Sequence, residues 1–90
     1  MLNKNIVEQL SKSATSIGVN YHETNNASSK KDFINKIYFC KKEANETRYW
    51  LDLLNKNEIK FTEDIGLLKK ENQELVMIFQ KIINTSNNKH

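Results

Sequence analysis

The longest regular pattern of apolar positions in this chain lies between residues 32 and 54. Apolar or small residues recur there in alternating steps of four and three over three heptads, and no proline or glycine interrupts them. This spacing predicts one long amphipathic helix. The seam consists of Phe33, Ile37, Cys40, Ala44, Thr47, Leu51 and Leu54. Because Ala44 and Thr47 are small, we expect another helix to approach closely at the middle of the seam.

Two further stretches, residues 5–23 and 62–84, show the same spacing and predict two more helices. Their seams are Val7, Leu10, Ala14, Ile17 and Tyr21 in the first stretch, and Ile65, Leu68, Asn72, Leu75, Phe79 and Ile82 in the second. The segment 24–29 is short and rich in residues that favour turns and caps. So short a connection makes the first two helices antiparallel neighbours.

Small and polar residues within the outer two helices carry further expectations. Ala14 and Gly18 lie one turn apart, which indicates close approach to a neighbour, and we expect the small middle of the central helix to be that neighbour. Asn72 is the one polar member of its seam. An asparagine at such a position either fixes the register or the oligomeric state of a bundle, or binds a ligand.

These patterns predict an all-α fold, an antiparallel up-and-down helical bundle. We expect a single domain over residues 1–84 and a polar, disordered tail over residues 85–90. The bundle either closes on its three helices or completes its core with another subunit.

Composition changes this picture only modestly. A domain of 90 residues buries about 60–65% of its unfolded surface, so self-association is a fair expectation for so thin a core. The net charge of +3 permits contact with nucleic acid without requiring it. A single cysteine, Cys40, excludes a disulfide framework. No apolar run approaches the ~20 residues of a membrane span, and the polar N-terminus is not a signal peptide, so we expect a cytoplasmic protein with no membrane partner.

The segment from Ser16 to Leu54 resembles the 23S ribosomal RNA intervening-sequence proteins, also called the four-helix-bundle protein family. The resemblance rests on several spaced elements in the right order, and a looser helical match extends from Val7 to Asn84. The matching elements are Ser16-Ile17 with Asn20 and Glu23, Ser29, Asp32-Phe33, Lys42-Glu43, Glu46-Thr47 and Tyr49-Trp50-Leu51.

The resemblance implies a small bacterial all-α protein of four antiparallel helices that assembles into a ring, typically a homopentamer, without enzymatic activity. A related group, the accessory variability proteins of diversity-generating retroelements, works with a reverse transcriptase and nucleic acid, so both are possible partners by analogy. The family carries a whole helix ahead of the one that begins here near Asn5, and this sequence has only MLNK in its place. Without that helix, we expect an open apolar groove.

Catalytic, cofactor and metal chemistry find little support in the sequence. Glu43 and Glu46 lie one turn apart, and Glu23 or His22 could approach from the first helix. A di-iron bundle needs Glu-x-x-His motifs on two helices, and these are absent. We expect the acids to pair instead with Lys36, Lys42 or Arg48. No nucleophile motif or phosphate loop is present, so we expect no enzyme, no cofactor and no metal.

Two functions from different classes remain. The first is a self-assembling, non-enzymatic scaffold that binds RNA or DNA through a basic face, with Tyr38 and Tyr49 interleaved among the basic residues. The candidate binding residues are Lys30, Lys31, Lys41, Lys42 and Arg48. The second is an oligomeric protein-interaction module with no nucleic-acid role. The candidate oligomer interface for either function consists of Glu43, Glu46, Tyr49 and Trp50.

Overall fold

The computed structural model of the protein describes residues 2–57 and 62–87. Helix α1 spans Leu2–Glu23 and is followed by a short 3₁₀ turn at Thr24–Asn26. Helix α2 spans Lys30–Asn57, and helix α3 spans Thr62–Asn87. The described residues therefore form the expected all-α fold. Helix α3 continues past Asn84, where the sequence pattern placed its end, so residues 85–87 are helical rather than part of a disordered tail.

Helix α2 is the centre of the bundle, because both other helices pack against it. Among the described residues, no Cα atom of α1 lies within 8 Å of one of α3. The amino-terminal half of α2 lies beside the carboxyl-terminal parts of its two neighbours, where Ile17, Ile37, Phe79 and Ile83 share one buried cluster. The chain therefore runs up, down and up, as predicted for short connections.

The predicted seam of α2 is the buried one. Ile37, Cys40 and Ala44 are 0% exposed, and Leu51 is 2% exposed. Full burial of a side chain such as Ile37 or Leu51 stabilises the fold by about 1.5–3 kcal/mol. The small middle of this seam also holds polar contacts, because Thr47 is buried and donates a hydrogen bond to Ser13 Oγ at 2.9 Å.

The predicted seam of α1 is confirmed at Ile17 and is wrong for most of its other residues. The buried residues of this helix are Ile6, Ser13 and Ile17, whereas Val7 is 46% exposed and Ala14 is exposed. The residue that meets Thr47 is Ser13, and nothing lies within 4 Å of the position that a Cβ on Gly18 would take. The expected close approach of Ala14 and Gly18 to the centre of α2 is therefore also wrong. The inward face of α1 instead carries Ile6 and Ile17 with Ser13 between them, and the buried Ser13 hydroxyl accepts from Thr47 and donates to the Leu10 carbonyl oxygen.

Helix α3 keeps only half of its predicted seam inside. Ile65, Asn72 and Phe79 are buried, whereas Leu68 and Leu75 are 48% and 38% exposed. The Asn72 side-chain amide donates a hydrogen bond to the backbone carbonyl of Ala44 at 2.8 Å. This buried contact fixes the register of α3 against α2 within one chain, one of the two roles expected of Asn72.

The Asn72 contact gives the first prediction. In Asn72→Asp, an ionised carboxylate cannot donate to the Ala44 carbonyl, so we expect unfolding free energy at neutral pH to fall by about 1–3 kcal/mol. Burial raises the pKa of the introduced carboxyl above its unfolded value, so the loss should shrink as the pH falls through that raised pKa. Urea denaturation followed by circular dichroism at several pH values measures this. Gln73→Glu makes the same chemical change at the neighbouring exposed residue and should cost little; equal losses for both variants would contradict the assignment.

Candidate nucleic-acid interface

The start of α2, the helix that carries the candidate basic residues, is marked by a cap in which Ser28, Ser29 and Asp32 take part. The Asp32 backbone N–H donates to Ser29 Oγ at 3.0 Å, and the Asp32 carboxylate accepts a hydrogen bond from the Ser28 backbone N–H at 2.9 Å. The Ser28 hydrogen bond is the main cause that lowers the pKa of Asp32, and Lys36, whose Nζ lies 3.6 Å from the carboxylate, adds to it. Such a cap satisfies backbone donors that a helix start leaves unpaired.

The five candidate nucleic-acid-binding residues do not form one patch. Lys30, Lys31, Lys42 and Arg48 are exposed on α2. Lys41 is half-buried, and its ammonium group donates a hydrogen bond to the Gln80 side chain of α3. The structure therefore gives Lys41 a contact that joins two helices, in addition to any role toward a ligand.

Helical spacing divides the basic residues into two stripes. Lys31 and Lys42 are eleven residues apart and share the side of α2 that points away from both neighbours. Lys41 and Arg48 are seven apart and lie toward α3. The Lys42 ammonium group lies 5.6 Å from the centroid of the Phe39 ring, a contact that was not expected from the sequence. Lys56, also exposed, extends the outward stripe and was missed as well; its seven-residue distance from Tyr49 was the available signal.

The four candidate interface residues lie on α2 with different exposures. Glu46 and Tyr49 are exposed, and Glu43 and Trp50 are half-buried. The Tyr49 and Trp50 rings meet edge to face with their centroids 5.0 Å apart. Within the described part of the chain, the Trp50 indole nitrogen is buried and has no hydrogen-bond partner. A buried indole N–H normally finds an acceptor.

The expected partners of the acids are in part wrong. Lys36 pairs with Asp32, one turn before it, and not with Glu43. A second ion pair joins Lys69 of α3 to Asp52 of α2. In the described residues, no group of three or more His, Cys, Asp or Glu side chains is close enough together to hold a metal ion. No described helix is long and apolar enough to cross a bilayer.

An apolar groove runs between α1 and α3, above the carboxyl-terminal half of α2. Its volume is about 240 Å³. The exposed leucines Leu68 and Leu75 form one wall, Leu10 and Ala14 form the other, and Thr47 and Leu51 form the floor. Parts of the two predicted outer seams thus face the same open space, whereas the exposed Val7 of the α1 seam is not among the residues that line it.

Comparison with known proteins gives a matching family model and a similar solved structure. The family model described as 23S rRNA-intervening sequence protein matches residues 3–81. The fold is also similar to the crystal structure of a protein of unknown function from the S23 ribosomal protein family of Bacteroides thetaiotaomicron VPI-5482, with a TM-score of 0.82 and 40% sequence identity. That match covers 87% of this chain and 72% of the other. No curated protein matches the sequence.

The environment of Cys40 generates a prediction about thiol reactivity. Cys40 is 0% exposed, its thiol lies 3.9 Å from the Ile17 carbonyl oxygen, and burial raises its pKa. Since the thiolate is the reactive form, we expect the folded protein to react with a disulfide reagent at least about 100-fold more slowly than the protein in denaturant. Absorbance of the released thiol measures both rates. Comparable rates would show that Cys40 is accessible and contradict its place in the core.

Proposed function

Because the chain belongs to the 23S rRNA-intervening sequence protein family, we propose that it is a non-enzymatic helical scaffold that self-assembles and binds nucleic acid. The observation that carries the proposal is the set of exposed basic residues on α2. Both α1 and α3 pack against α2, and they leave its outer side uncovered. Three of the basic residues of α2, Lys31, Lys42 and Arg48, are exposed. Lysine and arginine on such a surface bind phosphates in a sequence-independent, salt-sensitive manner.

Self-assembly is the step that makes a modest charge effective. One chain carries only +3, which by itself gives a weak field. A ring of subunits, a pentamer by family resemblance, repeats the same basic helix around an axis and sums its charge. The groove between α1 and α3 supports assembly, because Leu68 and Leu75 expose apolar surface that association removes from water.

A second candidate function is an oligomeric protein-interaction module without a nucleic-acid role. The observation that favours it is Trp50, whose indole nitrogen lacks an acceptor in the described part of the chain and which lies against the exposed Tyr49 ring. Tryptophan and tyrosine are enriched among the residues that dominate protein interfaces. A carbonyl group supplied by a partner would satisfy the indole N–H.

The nucleic-acid proposal is tested by charge reversal at two exposed residues that no described contact ties to the core. We expect Lys42→Glu with Arg48→Glu to weaken binding to structured RNA and to duplex DNA at low salt, with the same fold and the same subunit number. For each phosphate that the variant no longer binds, the slope of log affinity against log salt should become shallower by about 1. Fluorescence anisotropy at low and physiological salt measures this, and circular dichroism checks the fold.

Lys70→Glu with Lys12→Glu is the matched control, since both residues are exposed on the other helices. If the control pair weakens binding as much as the α2 pair, binding depends on net charge alone and α2 is not the interface. If the wild-type protein binds neither probe even at low salt, the nucleic-acid function is wrong and the interaction module is favoured.

The assembly proposal is tested at the groove. Leu75→Glu introduces a charge into the apolar wall, so we expect the subunit number measured by light scattering to fall, with helix content unchanged because Leu75 is 38% exposed. Leu67→Glu is the control, because Leu67 is 62% exposed and is not among the residues that line the groove. If Trp50→Ala dissociates the oligomer and Leu75→Glu does not, assembly uses the Trp50 surface instead.

A further inference from the structure

The outward side of α2 carries a row of exposed residues in which three lysines are separated by tyrosine or by asparagine and tyrosine. Successive members are 7, 4, 3, 4 and 7 residues apart, so they lie on one helical face. The row consists of Lys31, Tyr38, Lys42, Asn45, Tyr49 and Lys56, all of them exposed. Both neighbouring helices pack on the opposite side, against Ile37, Ala44 and Leu51.

The two tyrosines of this row are unusually open for aromatic residues. Tyr38 is 47% exposed and Tyr49 is 56% exposed. They are eleven residues apart, about 16 Å along the helix at a rise of 1.5 Å per residue. The Tyr49 ring also contacts Trp50 edge to face, while more than half of the Tyr49 side chain stays open to solvent. A rigid aromatic ring loses little entropy when a planar group stacks on it.

The charges around these rings are positive along the row. Lys42 lies between the tyrosines, and its contact with the Phe39 ring restricts its position. Lys31 and Lys56 lie beyond the two rings. No carboxylate belongs to the row; Glu46 lies beside it, and Asp52 is paired with Lys69. A polyanion that lies along this face would therefore contact three lysines in turn, with a tyrosine ring between each lysine and the next.

We propose that the outward face of α2 is a track for single-stranded nucleic acid, with bases stacked on Tyr38 and Tyr49 and phosphates bound by Lys31, Lys42 and Lys56. This inference rests on the proposed nucleic-acid function and deepens it by naming the ligand class. Unpaired bases present free faces to aromatic side chains, whereas the bases of a duplex are already stacked on each other. Aromatic rings between regularly spaced lysines therefore favour single strands over duplexes.

The test uses the full 90-residue protein and an oligouridine RNA, an oligothymidine DNA and a fully paired RNA hairpin. Stacking on an aromatic side chain contributes enough that Tyr38→Leu and Tyr49→Leu should each weaken binding of the single strands at least about fivefold. Tyr38→Phe and Tyr49→Phe keep the ring and should bind within about twofold of wild type. The salt dependence of binding should be unchanged in all four variants, because stacking releases no counterions.

The single tryptophan supplies an independent readout. A base that stacks on Tyr49 alters the surroundings of Trp50, so single strands should change the tryptophan fluorescence of wild type and of Tyr49→Phe, but not of Tyr49→Leu. Equal effects of the RNA and DNA strands assign the track to single strands generally, and a preference for one assigns it to that polymer; both support the track.

Three outcomes would overturn the proposal. If the leucine variants bind single strands like wild type while the Lys42 and Arg48 reversals abolish binding, the proposed function stands and the stacking track is wrong. If Tyr49→Leu changes the subunit number, Tyr49 belongs to an assembly interface. If wild type binds none of the three probes at low salt, the track and the proposed function are both wrong.

Discussion

The structure depends on the small, polar middle of α2, where side chains of both α1 and α3 form hydrogen bonds with α2. Ala44 is 0% exposed and its carbonyl accepts a hydrogen bond from Asn72 of α3 at 2.8 Å. One turn later, Thr47 donates to Ser13 of α1 at 2.9 Å. The Asn72 contact forms in one register only, so a slip of α3 would leave a buried amide unpaired. The Thr47 and Ser13 hydroxyls also bond backbone carbonyls of their own helices, at Glu43 and Leu10, so their pairing constrains α1 less strictly. The surrounding apolar contacts, from Ile37 to Leu51, are non-directional and constrain the register least.

Helix α2 packs against α1 on one side and against α3 on an adjacent side, and this arrangement leaves two surfaces of the molecule uncovered. One is the groove between α1 and α3, whose walls include Leu10, Leu68 and Leu75. The other is the outward side of α2 itself. The first surface is apolar and the second is rich in lysine and tyrosine. The apolar surface and the lysine-rich surface therefore lie on opposite sides of the chain, so the association and the anion binding that we propose would not obstruct each other.

The sequence predicted those parts of the fold that repeat a strong pattern. The buried seam of α2 is the one that its spacing predicted. Its large apolar residues lie toward both ends and its small residues lie in the middle, so one face of the helix is clearly marked as the inward face. The outer helices were harder, because apolarity alone does not say which neighbour a seam faces. Val7 and Leu75 belong to seams at helical spacing, yet both are substantially exposed, while Ser13 is 3% exposed. The apolar pattern of a single sequence predicts that every apolar residue of a seam faces the core. It therefore cannot distinguish residues that are buried in the core from residues that line an open groove.

Sequence patterns were also insufficient to predict the arrangement of the polar residues in the candidate interface. The sequence groups Lys41 with Arg48 by spacing, but it does not show that Lys41 reaches Gln80, 39 residues away along the chain. Nor does it show that the cap at Ser29 and Asp32 begins α2 at this point. Charge composition gives the number of lysines; the neighbours of α2 decide which of them a ligand can reach. The groove and the basic face are therefore consequences of the same arrangement. Because both neighbours lie on one side of α2, the assembly at the groove that we propose would leave the opposite side of α2 exposed, and it would repeat the basic face without covering it.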